Sequence, residues 1–267
     1  MPPSADLDAR EALALRSVPM MIFSDGSASS MTPPPKSTLE SDPAVGAQKR
    51  FSVTGNAVVT GGAGVLGIHA CDALLEHGLE GLMILDVNPA QSQGQIAGLQ
   101  NKFPRAKIMA LKVDVTDENA VNAAMEETAR VLGSIDTLIC FVGVVGCVET
   151  LDMPVPQWRK ILDINTTGSF ICAQAAARQM VKRGRGGSIV FVASISAHRV
   201  NYPQPQAAYN VSKSALLMLK SCLAAEWARG RMGAPSELTG TVVLLASSAG
   251  SYINGADIVA DGGGIVL

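Results

Sequence analysis

Short apolar runs alternate with longer stretches of helical periodicity from about residue 56 to the C-terminus. The first run, Asn56-Ala-Val-Val-Thr60, ends in a glycine cluster and leads into a helical stretch from about Ile68 to His77. Further strands are expected over 81–86, 107–113, 135–142 and 187–193, with helices between them. One helix starts near Gln157, and another runs from about Ala208 to Ala228. Thr241 to Leu245 is β-branched enough to suit a strand, but Pro235 and Ser236 supply a helix start, so a last helix is expected there. Strand and helix in strict alternation predict an α/β fold on a doubly wound parallel sheet.

The first fifty residues break this pattern. They hold seven of the fourteen prolines and a single aromatic, Phe23, the composition of a disordered tail. Residues 1–50 therefore read as a tail and 51–267 as one domain. Acidic residues precede the apolar stretch at Leu13–Phe23, and Arg16 and Pro19 interrupt it, which suits neither a secretory signal nor a transit peptide. No run approaches the roughly 18 apolar residues of a membrane span. A net charge of −2 without a basic stripe speaks against a nucleic-acid surface. Arg178, Lys182, Arg183 and Arg185 gather at a helix end, where cations complement the helix dipole. Cysteines 71, 140, 147, 172 and 222 contain no Cys-x-x-Cys and lie mostly in apolar stretches. They read as reduced core residues of a cytoplasmic protein, and no metal is expected.

Two features carry candidate chemistry. Gly62, Gly64 and Gly67 satisfy G-x-G-x-x-G between a strand and a helix, where a backbone free of Cβ atoms approaches a pyrophosphate and helix amides hold it. Asp86 closes the next apolar run nineteen residues after Gly67, the distance at which an acid takes the adenosine ribose hydroxyls. Downstream, Tyr209 and Lys213 stand four apart on a helix, so an ammonium can face a phenol. A phenol with a pKa of about 10 is a poor base, and a neighbouring cation favours the phenolate.

With Ser194 fifteen residues upstream, this set resembles the short-chain dehydrogenase/reductase family in its classical form, from about Phe51 to Leu267. The resemblance implies a Rossmann-like fold and a catalytic set of Asn165, Ser194, Tyr209 and Lys213. It also implies cofactor contacts from Gly61, Gly62, Gly64, Leu66, Gly67, Asp86, Asp114, Val115, Gly143, Tyr209 and Lys213. Asp257 to Gly263 resembles the family's last strand and terminal turn. The stretch from Ser194 to Tyr209 is most similar to fungal polyol and ketose reductases, mannitol and arabinitol dehydrogenases among them. NAD is expected over NADP, because Asp86 repels a 2′-phosphate and neither Val87 nor Asn88 offers an arginine. A small-molecule substrate follows, and a homo-oligomer stays open.

Departures from the family pattern qualify this. Val65 stands where the family's turn has its middle glycine, and its side chain could crowd the pyrophosphate. Cys140-Phe141-Val142-Gly143 keeps only the glycine of the usual Asn-Asn-Ala-Gly. Only eight residues separate Trp227 from Ser236, too few for a sixth strand, the turn after it and a substrate lid. Two readings from different classes remain open: an oxidoreductase moving hydride between a nicotinamide and an alcohol or carbonyl, or a remnant that binds nucleotide or serves structure only. The second includes the product of an incomplete gene model.

Overall fold

A computed structural model of the chain describes residues 43–184, 186–227 and 235–261. The expectations for residues 1–42, for Arg185 and for Gly262 and Gly263 lie outside the described residues. Pro43–Arg50 forms a helix, α1, which corrects the end of the expected disordered tail. Among the described residues, those from 43 to 226 make one compact unit, and Trp227 and 235–261 belong to another.

The larger unit is a five-stranded parallel sheet in the order β3-β2-β1-β4-β5. Its strands are β1 Asn56–Thr60, β2 Gly81–Asp86, β3 Lys107–Lys112, β4 Thr137–Cys140 and β5 Ser188–Phe191. The crossovers are helical: α2 Val65–Glu76, α3 Gln93–Lys102, α4 Glu118–Leu132, α5 Val155–Leu162 and α6 Gly168–Lys182, with α7 Ala207–Trp227 following β5. β1 and β2 are buried along their whole lengths because both faces are covered, so they read as continuous apolar runs. Ala57, Val59, Leu82 and Ile84 face a core completed by Cys71 and Leu75 of α2 and Ile96 and Leu99 of α3. Val58, Met83, Leu85 and Leu138 face the other core, with Val121 and Met125 of α4, Cys172 and Ala176 of α6, and Leu223 of α7.

The end of the sheet where its strands begin is tied by one carboxylate. Asp136 Oδ2 accepts from Asn56 N at 2.9 Å and Ser134 Oγ at 2.6 Å, and Arg183 donates to Oδ1 at 2.6 Å. Burial pushes the Asp136 carboxyl up, but the bonds from Ser134 and the Asn56 amide, with Arg183, outweigh it and leave it below its ordinary value. Arg183, expected only to complement a helix dipole, caps α6 and also pairs with the start of β4.

In the smaller unit, Pro235–Ala246 is helix α8, as the Pro-Ser start implied. Asp257–Asp261 is not a strand, which corrects the expected last strand. A parallel strand exists through its ladder, and among the described residues no strand pairs with Asp257–Asp261. Among the described residues β5 pairs only with β4.

Candidate active site

Strand order reverses between β1 and β4, the point at which open parallel sheets bind ligands beyond their strand ends. Thr60 feeds the turn on one side and Cys140 the loop on the other, joined where Phe141 N donates to Thr60 O at 3.0 Å. Gly61 takes φ +65°, and a Cβ there would stand 2.8 Å from Val142 N, so the two loops meet only over glycine. A Cβ on Gly62 would come within 2.8 Å of Val59 O, and one on Gly67 within 2.7 Å of the Gly62 Cα. Those contacts explain the spacing of the motif.

Gly64 caps α2 in an extended conformation, and Ile68 N is the first amide to bond back to it. The amides of Val65, Leu66 and Gly67 precede it and have no helical acceptor, which makes this terminus a seat for an anion. Val65 and Leu66 are 77% and 70% exposed beside these amides. Asp86 is buried at the end of β2. Its Oδ2 accepts from Ala63 N at 3.3 Å and its Oδ1 from Asn88 N at 3.0 Å, while Ser92 Oγ donates to Ala63 O at 2.6 Å. The donor set fits a dinucleotide: free amides for pyrophosphate, a carboxylate for ribose hydroxyls. At the end of β3 Asp114 is exposed and accepts from Thr116 N and Oγ1. These bonds hold its carboxyl below the ordinary value. Val115 beside it is buried and closes the core.

Asn165 is a site residue that the resemblance alone singled out. A helical asparagine is usually solvated, yet this one is fully buried in a π-helical turn, Asp163–Thr167, between α5 and α6. Its Oδ1 accepts from Val144 N at 2.8 Å, and its Nδ2 donates to Val144 O and Ser212 Oγ, both at 2.9 Å. Ser212 Oγ donates in turn to Tyr209 O at 2.8 Å. Asn165 thus joins the loop after β4 to the helix that carries Tyr209 and Lys213. Sequence reading missed Ser212, although its place between Tyr209 and Lys213 was a signal.

Lys213 is 3% exposed. Its Nζ donates to Val192 O at 2.8 Å, just past β5, and lies 5.9 Å from the centroid of the Tyr209 ring. Burial lowers its pKa. A Cβ on Gly143 would come within 3.2 Å of Nζ, so that glycine leaves room for the lysine. Cys140 is buried, which pushes its thiol up to about 12 and keeps it neutral. Ser194 caps a 3-10 turn, Ile195–Ala197, with its Oγ accepting from Ser196 N at 3.1 Å. Asn210 braces that loop by donating to Ser196 O and Arg199 O at 2.8 and 2.9 Å. Loop and helix therefore hold Ser194 and Tyr209 as one assembly, with Gly143, Asn165 and Lys213 adjoining it.

Residues 55–234 match the family model for short chain dehydrogenase. The chain is 31% identical over 252 residues to a probable NADP-dependent mannitol dehydrogenase of Yarrowia lipolytica, covering 80% of this chain and 89% of that protein. It is 30% identical to a sorbose reductase of Candida albicans, covering 80% and 88%. Among solved structures it is similar to a short-chain type dehydrogenase/reductase from Mycobacterium marinum, with a TM-score of 0.65 and 32% identity over 80% of this chain and 97% of the other. The NADPH-dependent 3-quinuclidinone reductase from Rhodotorula rubra gives a TM-score of 0.64 at 29% identity, covering 87% and 98%.

Proposed function

Since the chain belongs to the short-chain dehydrogenase family and is a nicotinamide-dependent oxidoreductase, we propose that it interconverts a polyol and a ketose with Tyr209 as the proton-transferring group. The observation that carries the residue roles is the hydrogen-bonded chain Val144–Asn165–Ser212–Tyr209, with Lys213 beside it. The polyol assignment is supported by the names of the mannitol dehydrogenase and sorbose reductase relatives.

In the oxidative direction, Tyr209 Oη as phenolate takes the proton of the reacting hydroxyl, and in reduction it returns that proton. The nicotinamide, when bound, supplies or accepts the hydride. Lys213, a buried cation 5.9 Å from the centroid of the phenol ring, would hold the nicotinamide ribose. Ser194 Oγ, bonded in this structure to Ser196, turns to donate to the reacting oxygen. Asn165 has committed both amide hydrogens and one lone pair. Its main task is to position the loop at Gly143 and Val144, and the second lone pair of Oδ1 is left for a water that relays the proton outward. Gly61, Gly62, Gly64, Leu66 and Gly67 would hold the pyrophosphate, Asp86 the adenosine ribose, Asp114 and Val115 the adenine.

For the cofactor we favour NAD. Asp86 is fixed by two backbone amides at the end of β2, and a 2′-phosphate bound beside it would be repelled by that carboxylate. NADP has one observation on its side besides the names of the relatives: Lys112, the register partner of Asp86 on β3, is an exposed cation on the same face of the sheet. Titration of both cofactors by nicotinamide fluorescence decides. A lower dissociation constant for NAD, narrowed by Asp86→Ser, is expected, and tighter binding of NADP overturns the preference. Turnover of a polyol or ketose with the preferred cofactor tests the reaction; binding without turnover across a polyol series refutes the catalytic reading.

A further inference from the structure

The flank of the site where α7 begins carries a polar group that neither the chemistry nor the cofactor uses. Gln206 stands immediately before α7, three residues ahead of Tyr209. Its backbone oxygen accepts from Asn210 N at 2.9 Å, so the residue is anchored in the first turn. Its half-buried side chain donates from Nε2 to Cys147 Sγ at 3.2 Å and to Gln204 Oε1 at 3.1 Å. Among the described residues its Oε1 accepts no hydrogen bond. Cys147 sits on the loop that starts at Gly143 and Val144, and Val148 N donates to Pro205 O at 3.0 Å, closing that loop onto the residues before Tyr209. Gln206 and Cys147 thus join the loop after β4 to the residues that lead into α7.

We propose that Gln206 is a specificity-determining residue that recognises a substrate hydroxyl beyond the reacting carbon. This rests on the polyol reading above and deepens it. Thiol sulfur is a weak acceptor, so exchanging it for a hydroxyl oxygen costs little. A carboxamide offers both a donor and an acceptor, and a hydroxyl on a neighbouring carbon answers both. A substrate with one hydroxyl has nothing to place there. The bond to Cys147 holds the carboxamide in place until the substrate takes it over.

The test compares Gln206→Leu and Cys147→Ala with the parent, measuring kcat/KM for a hexitol and for cyclohexanol and the dissociation constant of the nicotinamide cofactor. In Gln206→Leu, kcat/KM for the hexitol should fall about tenfold, the loss of one net hydrogen bond, mostly through KM. Cyclohexanol oxidation and cofactor affinity should hold. Cys147→Ala should keep or improve the hexitol value, because it frees the carboxamide. An equal fall for both alcohols in Gln206→Leu, no fall for the hexitol, or a matching loss in Cys147→Ala overturns the proposal. A parent protein that oxidises cyclohexanol but no hexitol refutes the polyol reading itself, an outcome visible before any variant is made.

Discussion

Asn165→Ala should be the most destabilising single change of a polar residue in this site. The side chain makes three hydrogen bonds, at 2.8, 2.9 and 2.9 Å, from a position with no solvent exposure. Each such bond contributes about 1 kcal/mol net, giving about 3 kcal/mol. The three partners differ in what they lose. Val144 is partly exposed, so its backbone groups regain water. Ser212 is buried and keeps its bond to Tyr209 O but loses its donor. For a domain of this size about 1 kcal/mol shifts Tm by roughly 2–4 °C, so a fall of about 6–12 °C is expected. Thermal unfolding followed by circular dichroism measures it, and Ser212→Ala with the double variant completes a cycle that isolates the Asn165–Ser212 bond. A coupling of about 1 kcal/mol is expected. A Tm within about 2 °C of the parent, or two strictly additive single changes, refutes the view that Asn165 joins the loop after β4 to α7.

Tyr209→Phe removes one hydroxyl and should lower turnover by about 10²- to 10⁴-fold with cofactor affinity unchanged; near-parental turnover in steady-state assays sinks the mechanism. Asp136 titrates below its ordinary value in the folded protein, so its stabilisation is complete above the unfolded pKa of about 4 and is lost as pH falls through the lower folded value. Asp136→Asn should therefore be less stable at neutral pH and show a shallower loss in acid. Urea unfolding at pH 7 and pH 3 checks this, and parallel pH profiles for parent and variant would count against it.

The sequence made the cofactor half of the site legible because its geometry is local. Gly61 to Gly67 must be glycine-rich where backbone meets backbone, and Asp86 closes an apolar run whose length sets its place. The partners of Asn165 were hidden, since they lie 21 and 47 residues away and a π-helical turn leaves no periodic trace. Asp257–Asp261 misled for the opposite reason: its residues suit a strand, but strands are made by neighbours. The helix at Pro43–Arg50 lies in a stretch whose composition alone suggested disorder.

β5 ends the sheet among the described residues, while β1 and β4, which flank the dinucleotide seat, are paired on both sides. Ligand binding can therefore act as a fastening for the fold. A dinucleotide at a hundred times its dissociation constant adds about 2.7 kcal/mol to the native state by mass action, about what two to five structural hydrogen bonds contribute. The amount of folded protein in a cell would then follow the supply of its cofactor, and depletion of nicotinamide would shorten its lifetime before it slowed its chemistry.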